Sequence, residues 1–218
     1  LKQYITRLCI LMIGLIFFAI GIVLTIRANI GTPPWEVFHV GLAVTFGLSI
    51  GTVSILVGLL IAIFVIAYGE KLGLGTVLNI FVIGVLVDIF LFITPISENV
   101  IIGTLMLVVG IICISFGSCL YIKSAFGVGP RDSLMVVLTR KTKLPVGLCR
   151  FGIELLVTAG GWFLGGMVGL GTVLFVFLIG VSIQLTFKIM RFNVTTVQHE
   201  TLRQTYRAIR NLAKKHPA

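Results

Sequence analysis

Apolar residues run almost unbroken through six stretches, residues 8–26, 50–68, 72–93, 100–122, 146–164 and 168–187, and polar residues collect in the breaks between them. Each stretch is about as long as the 17 to 25 residues that carry a helix across a bilayer. Six spanning helices are therefore predicted. The first stretch is too long for a cleaved signal peptide, lacks a small-residue cleavage site and has a counterpart deep inside the chain. Two breaks carry something more. Gly31-Thr32-Pro33-Pro34-Trp35-Glu36 and Gly127-Val128-Gly129-Pro130-Arg131-Asp132 each follow an apolar run and open a short helical segment. Pro34 and Pro130 suit a first helical position, where the missing N–H costs nothing. Glu36 and Asp132 then fall in the first turn, where the helix dipole favours a carboxylate by about 0.3 to 1 kcal/mol.

The two breaks belong to an internal repeat. Adding 96 to the residue number carries eight of the first eleven glycines onto other glycines, against about one expected by chance, and self-similarity at a fixed period marks a repeated structural unit. Leu74-Gly75-Thr76-Val77-Leu78 recurs residue for residue as Leu170-Gly171-Thr172-Val173-Leu174. The chain divides into a first membrane repeat over 1–96, a second over 97–190 and a polar tail over 191–218.

Composition fits this picture. With 58% hydrophobic residues, 11% charged and a mean hydropathy of +1.16, the chain lacks the polar surface that a soluble domain of 218 residues needs. The formal charge of +10 is unevenly placed, and its placement decides the topology. The segment opened by Pro130 offers only residues 133–139 before Arg140-Lys141-Thr142-Lys143, far too few to cross. With six spans and a cytoplasmic N-terminus, Lys and Arg collect inside and only Arg27 lies outside, as the positive-inside rule requires; eight spans would also put Lys71, Lys123 and Arg131 outside. Three spans per half make the second half enter from the opposite side. The expected fold is all-α: six transmembrane helices as two inverted-topology three-helix repeats, each with a short non-spanning helix after its first span.

In the tail, Leu202, Tyr206, Ile209 and Ala213 recur at helical spacing beside Arg203, Arg207, Arg210 and Lys214, which predicts a basic amphipathic helix on anionic lipid headgroups. Nucleic acid is not required to explain it. Cys9, Cys113, Cys119 and Cys149 show no Cys-x-x-Cys spacing and sit within or beside apolar runs, so they read as small hydrophobes; neither metal nor cofactor is expected. No His-Glu-x-x-His, Gly-x-Ser-x-Gly or phosphate-loop pattern occurs, and an enzyme is not expected.

Polar residues near apolar runs are the functional candidates. Glu154 lies in the fifth span with Arg150 one turn earlier, a spacing that also suits a plain i, i+4 salt bridge. Asp88 aligns with Gln184 and could cap a neighbouring helix or take a proton. Asn79 aligns with Phe175 and is a candidate pathway lining. Glu36 and His39 share one face of the first short helix, a spacing suited to a pH-sensitive pair. The candidate solute or coupling-ion set is Arg27, Asn29, Gly31, Pro34, Trp35, Glu36, His39 and Asn79 in the first half, with Lys123, Gly127, Pro130, Arg131, Asp132 and Glu154 in the second.

The stretch from Gly21 through Arg27, Asn29 and Gly31 to Trp35 and Glu36, with the second-half motif Gly127 to Asp132 and the two Leu-Gly-Thr motifs, resembles the YczE/YyaS/YitT group of bacterial integral membrane proteins, in particular its YczE branch. The resemblance covers nearly all of residues 5–190. Glu36 stands where that branch more often has Asp, and Pro33 where it often has Ser. What the resemblance implies is a multi-pass protein of the bacterial plasma membrane; it implies no activity. The expected function is a small-solute secondary transporter or exporter, compatible with a homodimer, both termini cytoplasmic. The alternative is a scaffold that recruits a cytoplasmic partner through the tail and the Arg140 to Lys143 loop. Helices at opposite surfaces would make two gates, whereas helices dipping inward would make one shared site.

Overall fold

The computed structural model describes residues 2–193 and 197–215. All regular structure among them is helical, in chain order α1 (Lys2–Arg27), α2 (Pro34–Phe46), α3 (Ile50–Ala67), α4 (Leu74–Ile93), α5 (Val100–Lys123), α6 (Pro130–Thr142), α7 (Val146–Phe163), α8 (Leu170–Ile189) and α9 (Leu202–Lys215). Six of these, α1, α3, α4, α5, α7 and α8, are long and apolar enough to cross a membrane. The two proline-led segments form helices of 13 residues each, α2 and α6, and are too short to do so.

Local chemistry sets the helix ends. Pro34 and Pro130 occupy the first positions of α2 and α6, and left-handed Gly47 and Lys143 end these helices. Ser49 Oγ accepts the Thr52 N–H at the start of α3, and Asn99 Oδ1 accepts the Ile101 N–H at the start of α5. Thr76 and Thr172 hydroxyls accept the N–H groups of Gly73 and Gly169 and so close the starts of α4 and α8. Left-handed backbone recurs at the 96-residue offset in Asn29 and Ala125, Gly31 and Gly127, Gly47 and Lys143, and Gly69 and Gly165.

Helices α1 and α5 form the central pair. Hydrophobic transfer does little to join helices that lipid already solvates, so close packing must hold them together. Glycines permit it: a Cβ on Gly21 would stand 2.6 Å from the Gly110 carbonyl, and one on Gly117 would stand 2.7 Å from that of Gly14. Leu11, Leu15, Val23 and Leu107 are buried along this seam. Helix α4 packs on α1 and α8 on α5, while α2 packs on α7 and α6 on α3. The contacts are reciprocal. Gly75 N–H donates to the Phe126 carbonyl at 2.7 Å, and Gly171 N–H donates to the Ile30 carbonyl at the same distance. One pairing breaks the pattern: α3 packs along α4, but α7 and α8 scarcely touch.

The tail does not leave the core at once. Glu200 N–H donates to the Ala125 carbonyl and Leu202 N–H to that of Leu72. The Glu200 carboxylate meets Arg7 at 2.5 Å, and Arg7 also donates to the Ser124 carbonyl. The basic amphipathic helix expected in the tail is α9; residues 194–196 and 216–218 of the tail lie outside the described residues.

Candidate functional site

A cavity of about 380 Å³ lies between the two halves. Its walls draw on equivalent positions of both: Pro34 and Pro130, Glu36 and Asp132, Asn79 and Phe175, Ile83 and Ile179. The first turns of α2 and α6 therefore border one space. The turns achieve this through Gly31 (φ 111°) and Gly127 (φ 122°), whose backbones any L side chain would strain. Each also presses on the opposite half, since a Cβ on Gly31 would meet the Gly169 backbone and one on Gly127 that of Gly73.

At the centre, Arg131 crosses between the halves. Its guanidinium lies 4.7 Å from the Trp35 ring centre and 3.3 Å from the Glu36 carboxylate. Trp35 and Arg131 are themselves 96 residues apart, and equivalent positions that touch lie where the two halves meet. Glu36 is 4% exposed and Arg131 is its ion-pair partner; removing one partner of a buried pair leaves the other uncompensated. His39 Nδ1 stands 3.9 Å from the same carboxylate. Burial keeps the His39 imidazole well below its usual pKa range, and the Arg131 charge adds to the effect, so it is neutral near pH 7.

Asp132 is placed differently. It opens onto the cavity and forms no salt bridge among the described residues. Burial raises its carboxyl above the ordinary range, opposed by Arg150, Arg131 and a backbone hydrogen bond at Gly129; water reaching it through the cavity limits the rise. Arg150 is engaged elsewhere, donating to Glu154 at 2.9 Å in the i, i+4 geometry that the sequence suggested. Both residues of that pair line the cavity as well, standing where the first half has Ser54 and Gly58.

Of the sequence-derived candidates, the structure gathers Pro34, Trp35, Glu36, His39, Asn79, Pro130, Arg131, Asp132 and Glu154 around this cavity. Arg27 and Asn29 lie elsewhere: Arg27 donates to the Leu91 carbonyl and left-handed Asn29 to that of Ser97, tying the end of α1 to the α4–α5 connection. Lys123 is exposed at the last turn of α5. Gly31 and Gly127 shape the turns without lining the space. Asp88 caps α3, accepting from Gly51 N–H at 2.7 Å and from Ser49 at 2.5 Å. Sequence reasoning missed Tyr121, a polar group inside the fourth span whose hydroxyl is buried on the cavity wall without a partner. It also missed His199, which the strapped tail brings to the cavity; nothing in a polar tail distinguishes it.

A bundle of six long apolar helices with charged residues at its centre defines a multi-pass integral membrane protein, and the comparisons with known proteins agree. Residues 5–188 match the family of unknown function DUF6198, and the chain belongs to that family. It is 37% identical over 173 residues to the uncharacterized membrane protein YczE of Bacillus subtilis (strain 168), covering 78% of this chain and 80% of that one. It is 35% identical over 188 residues to an uncharacterized protein of Haemophilus influenzae, covering 86% of each, and 27% identical over 183 residues to the uncharacterized protein YyaS of Bacillus subtilis, covering 82% of this chain and 90% of that one. The resemblance read from the motifs is thus the family relationship, within reach of the YczE branch. No solved structure matches the chain significantly.

Proposed function

We propose that the protein is a small-solute secondary transporter of the bacterial plasma membrane, non-enzymatic, with its two halves related as inverted-topology repeats and both termini in the cytoplasm. The cavity carries this reading: it lies between the halves and takes both Gly/Pro turns, both acidic first turns and the charged face of α7. Transporters built from inverted repeats bind their solutes where interrupted helices from the two halves meet. The reciprocal contacts support the repeat relation, and six spans divided three and three support the inversion. The difference between the seams fits as well. With α3 closed on α4 and α7 apart from α8, the arrangement is what one end state of an alternating-access carrier requires, the other being its mirror.

The scaffold reading has less support. A scaffold needs no polar cavity, and of its proposed docking groups Arg140 is engaged internally, with Glu70 at 2.7 Å and with the Tyr68 carbonyl, while the start of the tail is tied down by Glu200 on Arg7. The basic helix α9 is left to anionic lipid. Two measurements test the proposal. Single cysteines near Ile30 and near Phe126 should label from opposite faces of the membrane; labelling from one face removes the inversion. In proteoliposomes, Asp132→Asn should abolish solute counterflow at unchanged protein level, and a parallel fall in protein would make Asp132 a structural residue instead.

A further inference from the structure

We infer that the cavity binds an amphipathic organic amine, with the ammonium held by Asp132 and the Tyr121 hydroxyl and the apolar body laid against Phe175 and Ile179. This rests on reading the cavity as a solute site, and it names the class of solute.

Charge comes first. Glu36, Asp132 and Glu154 border the cavity with Arg131 and Arg150. Arg131 is committed to Glu36 and Arg150 to Glu154, so the unmatched charge is one negative and falls to Asp132. His39 and His199 add nothing near pH 7, because burial holds both imidazoles below their usual range. A single positive charge on the ligand restores the balance, and two would overshoot it.

Hydrogen bonding points the same way. Three buried atoms on wall residues have no partner among the described residues, His39 Nε2, the Tyr121 hydroxyl and His199 Nδ1, the first two on residues only 2% and 3% exposed. Buried polar groups are rarely left so, and each invites a ligand. The Glu36 carboxylate beside His39 Nδ1 favours the proton there, which makes Nε2 an acceptor. A wall with unused acceptors and an unmatched carboxylate suits a ligand that brings hydrogen-bond donors and positive charge.

The structure also leaves room. Gly129, with φ −61° and ψ 156°, has a backbone that any residue before a proline adopts, and its counterpart is Pro33. Conformation does not demand glycine here. The point that a Cβ would occupy lies 3.2 Å from Asp132 Oδ2 and 3.5 Å from the Tyr121 hydroxyl. What glycine preserves is the space beside those two groups. The volume of about 380 Å³ lies within the range of small-molecule sites, and such sites pair apolar walls with a few polar groups.

Proton balance follows. Arg131, Tyr121, Arg150, Glu154, Glu36, His39 and His199 share the cavity with Asp132, and its carboxyl is raised by burial. Between the ordinary carboxyl range and that raised value, Asp132 is protonated in the empty cavity. An ammonium needs the carboxylate, so below that value its entry releases one proton to solvent and affinity weakens as pH falls, whereas above it the carboxylate already stands as the unmatched negative charge and no proton is released.

The test is calorimetric titration of the full chain in lipid nanodiscs with phenethylammonium, its neutral isostere 2-phenylethanol and its anionic relative 3-phenylpropanoate. Phenethylammonium should bind at least tenfold more tightly than either, with affinity falling and proton release, compared in buffers of different ionisation enthalpy, growing as pH is lowered. Asp132→Asn should lose at least tenfold in affinity and the proton release. Gly129→Ala should lose several-fold with the carboxylate intact and an unchanged unfolding midpoint, which keeps the test decisive if Asp132→Asn fails to fold. Equal binding of the alcohol, preference for the anion, binding of sodium ion in place of the amine, or an unaffected Gly129→Ala overturns the inference. Amine binding without flux in proteoliposomes overturns transport alone; flux of another solute without amine binding overturns the amine alone.

Discussion

The same glycines stand at equivalent places in two helix pairs, and in only one pair are they used. Between α3 and α4, a Cβ on Gly51 would stand 2.0 Å from the Gly84 carbonyl and one on Gly84 would stand 2.4 Å from Ile55, so the backbones are in contact. Between α7 and α8 the counterparts Gly147 and Gly180 have nothing within 4 Å. The sequences differ at the latch. Asp88 on α4 accepts from Gly51 N–H and Ser49, holding the start of α3 against α4. In the second half the counterparts are Gln184 and Pro145: an exposed neutral amide, and a residue with no side-chain acceptor or N–H. Closure therefore needs small residues to permit it and a charged hydrogen bond to secure it. The second pair keeps the permission and lacks the latch, as a seam must if it is to open and close.

The sharpest way to break this comparison is to force the open seam shut. In a background free of the native cysteines, Gly147→Cys with Gly180→Cys should form a disulfide under mild oxidation if α7 and α8 close in a second state, and flux should then fall to background and return on reduction. Failure to cross-link would mean that the open seam is permanent. Gly51→Ala comes next. It must push α3 from α4 at a cost of about 1 to 3 kcal/mol, typical of overpacking, read as a lower unfolding temperature in nanodiscs. Asp88→Ala should cost about 1 to 2 kcal/mol, the usual worth of a lost cap. Gln184→Ala and Gly180→Ala should stay within about 0.5 kcal/mol, as substitutions away from packed or bonded features do. Equal costs in the two halves would erase the distinction.

A second contrast lies in the cavity. Glu36 and Asp132 hold equivalent positions, yet Glu36 is covered and matched by Arg131, whereas Asp132 faces open space. In the repeat this difference traces to position 35 and its counterpart, Trp35 in one half and Arg131 in the other. One cation serves the first acid, and the aromatic ring receives that cation's face. Glu36→Gln should therefore disturb the Arg131 position and fold stability, while Asp132→Asn should change ligand binding first.

Much was legible early because its causes are local or periodic. Span length follows from bilayer thickness, so the apolar runs and the six long helices agree closely in position. The starts of α2 and α6 follow from proline, and the ends of the repeated units from glycine at a constant offset. The Arg150 and Glu154 pair needed only helical spacing. The cap made by Asp88 was one of two uses that its place near a span end allowed.

The sequence by itself determined that the chain carries six stretches long and apolar enough to cross a membrane, that a sequence pattern recurs at a fixed offset, and which acids begin the short helices, since each of these depends on neighbours within a few turns or on comparison at that offset. Only the tertiary structure decided that both short helices open on one cavity, that Arg131 answers Glu36 from the other half and leaves Asp132 unmatched, that Tyr121 and His199 join the wall, and that one seam is closed and the other open. Those outcomes depend on which face of each helix meets which partner. The bilayer rewards apolar residues on every face alike, so hydropathy carries no record of that choice.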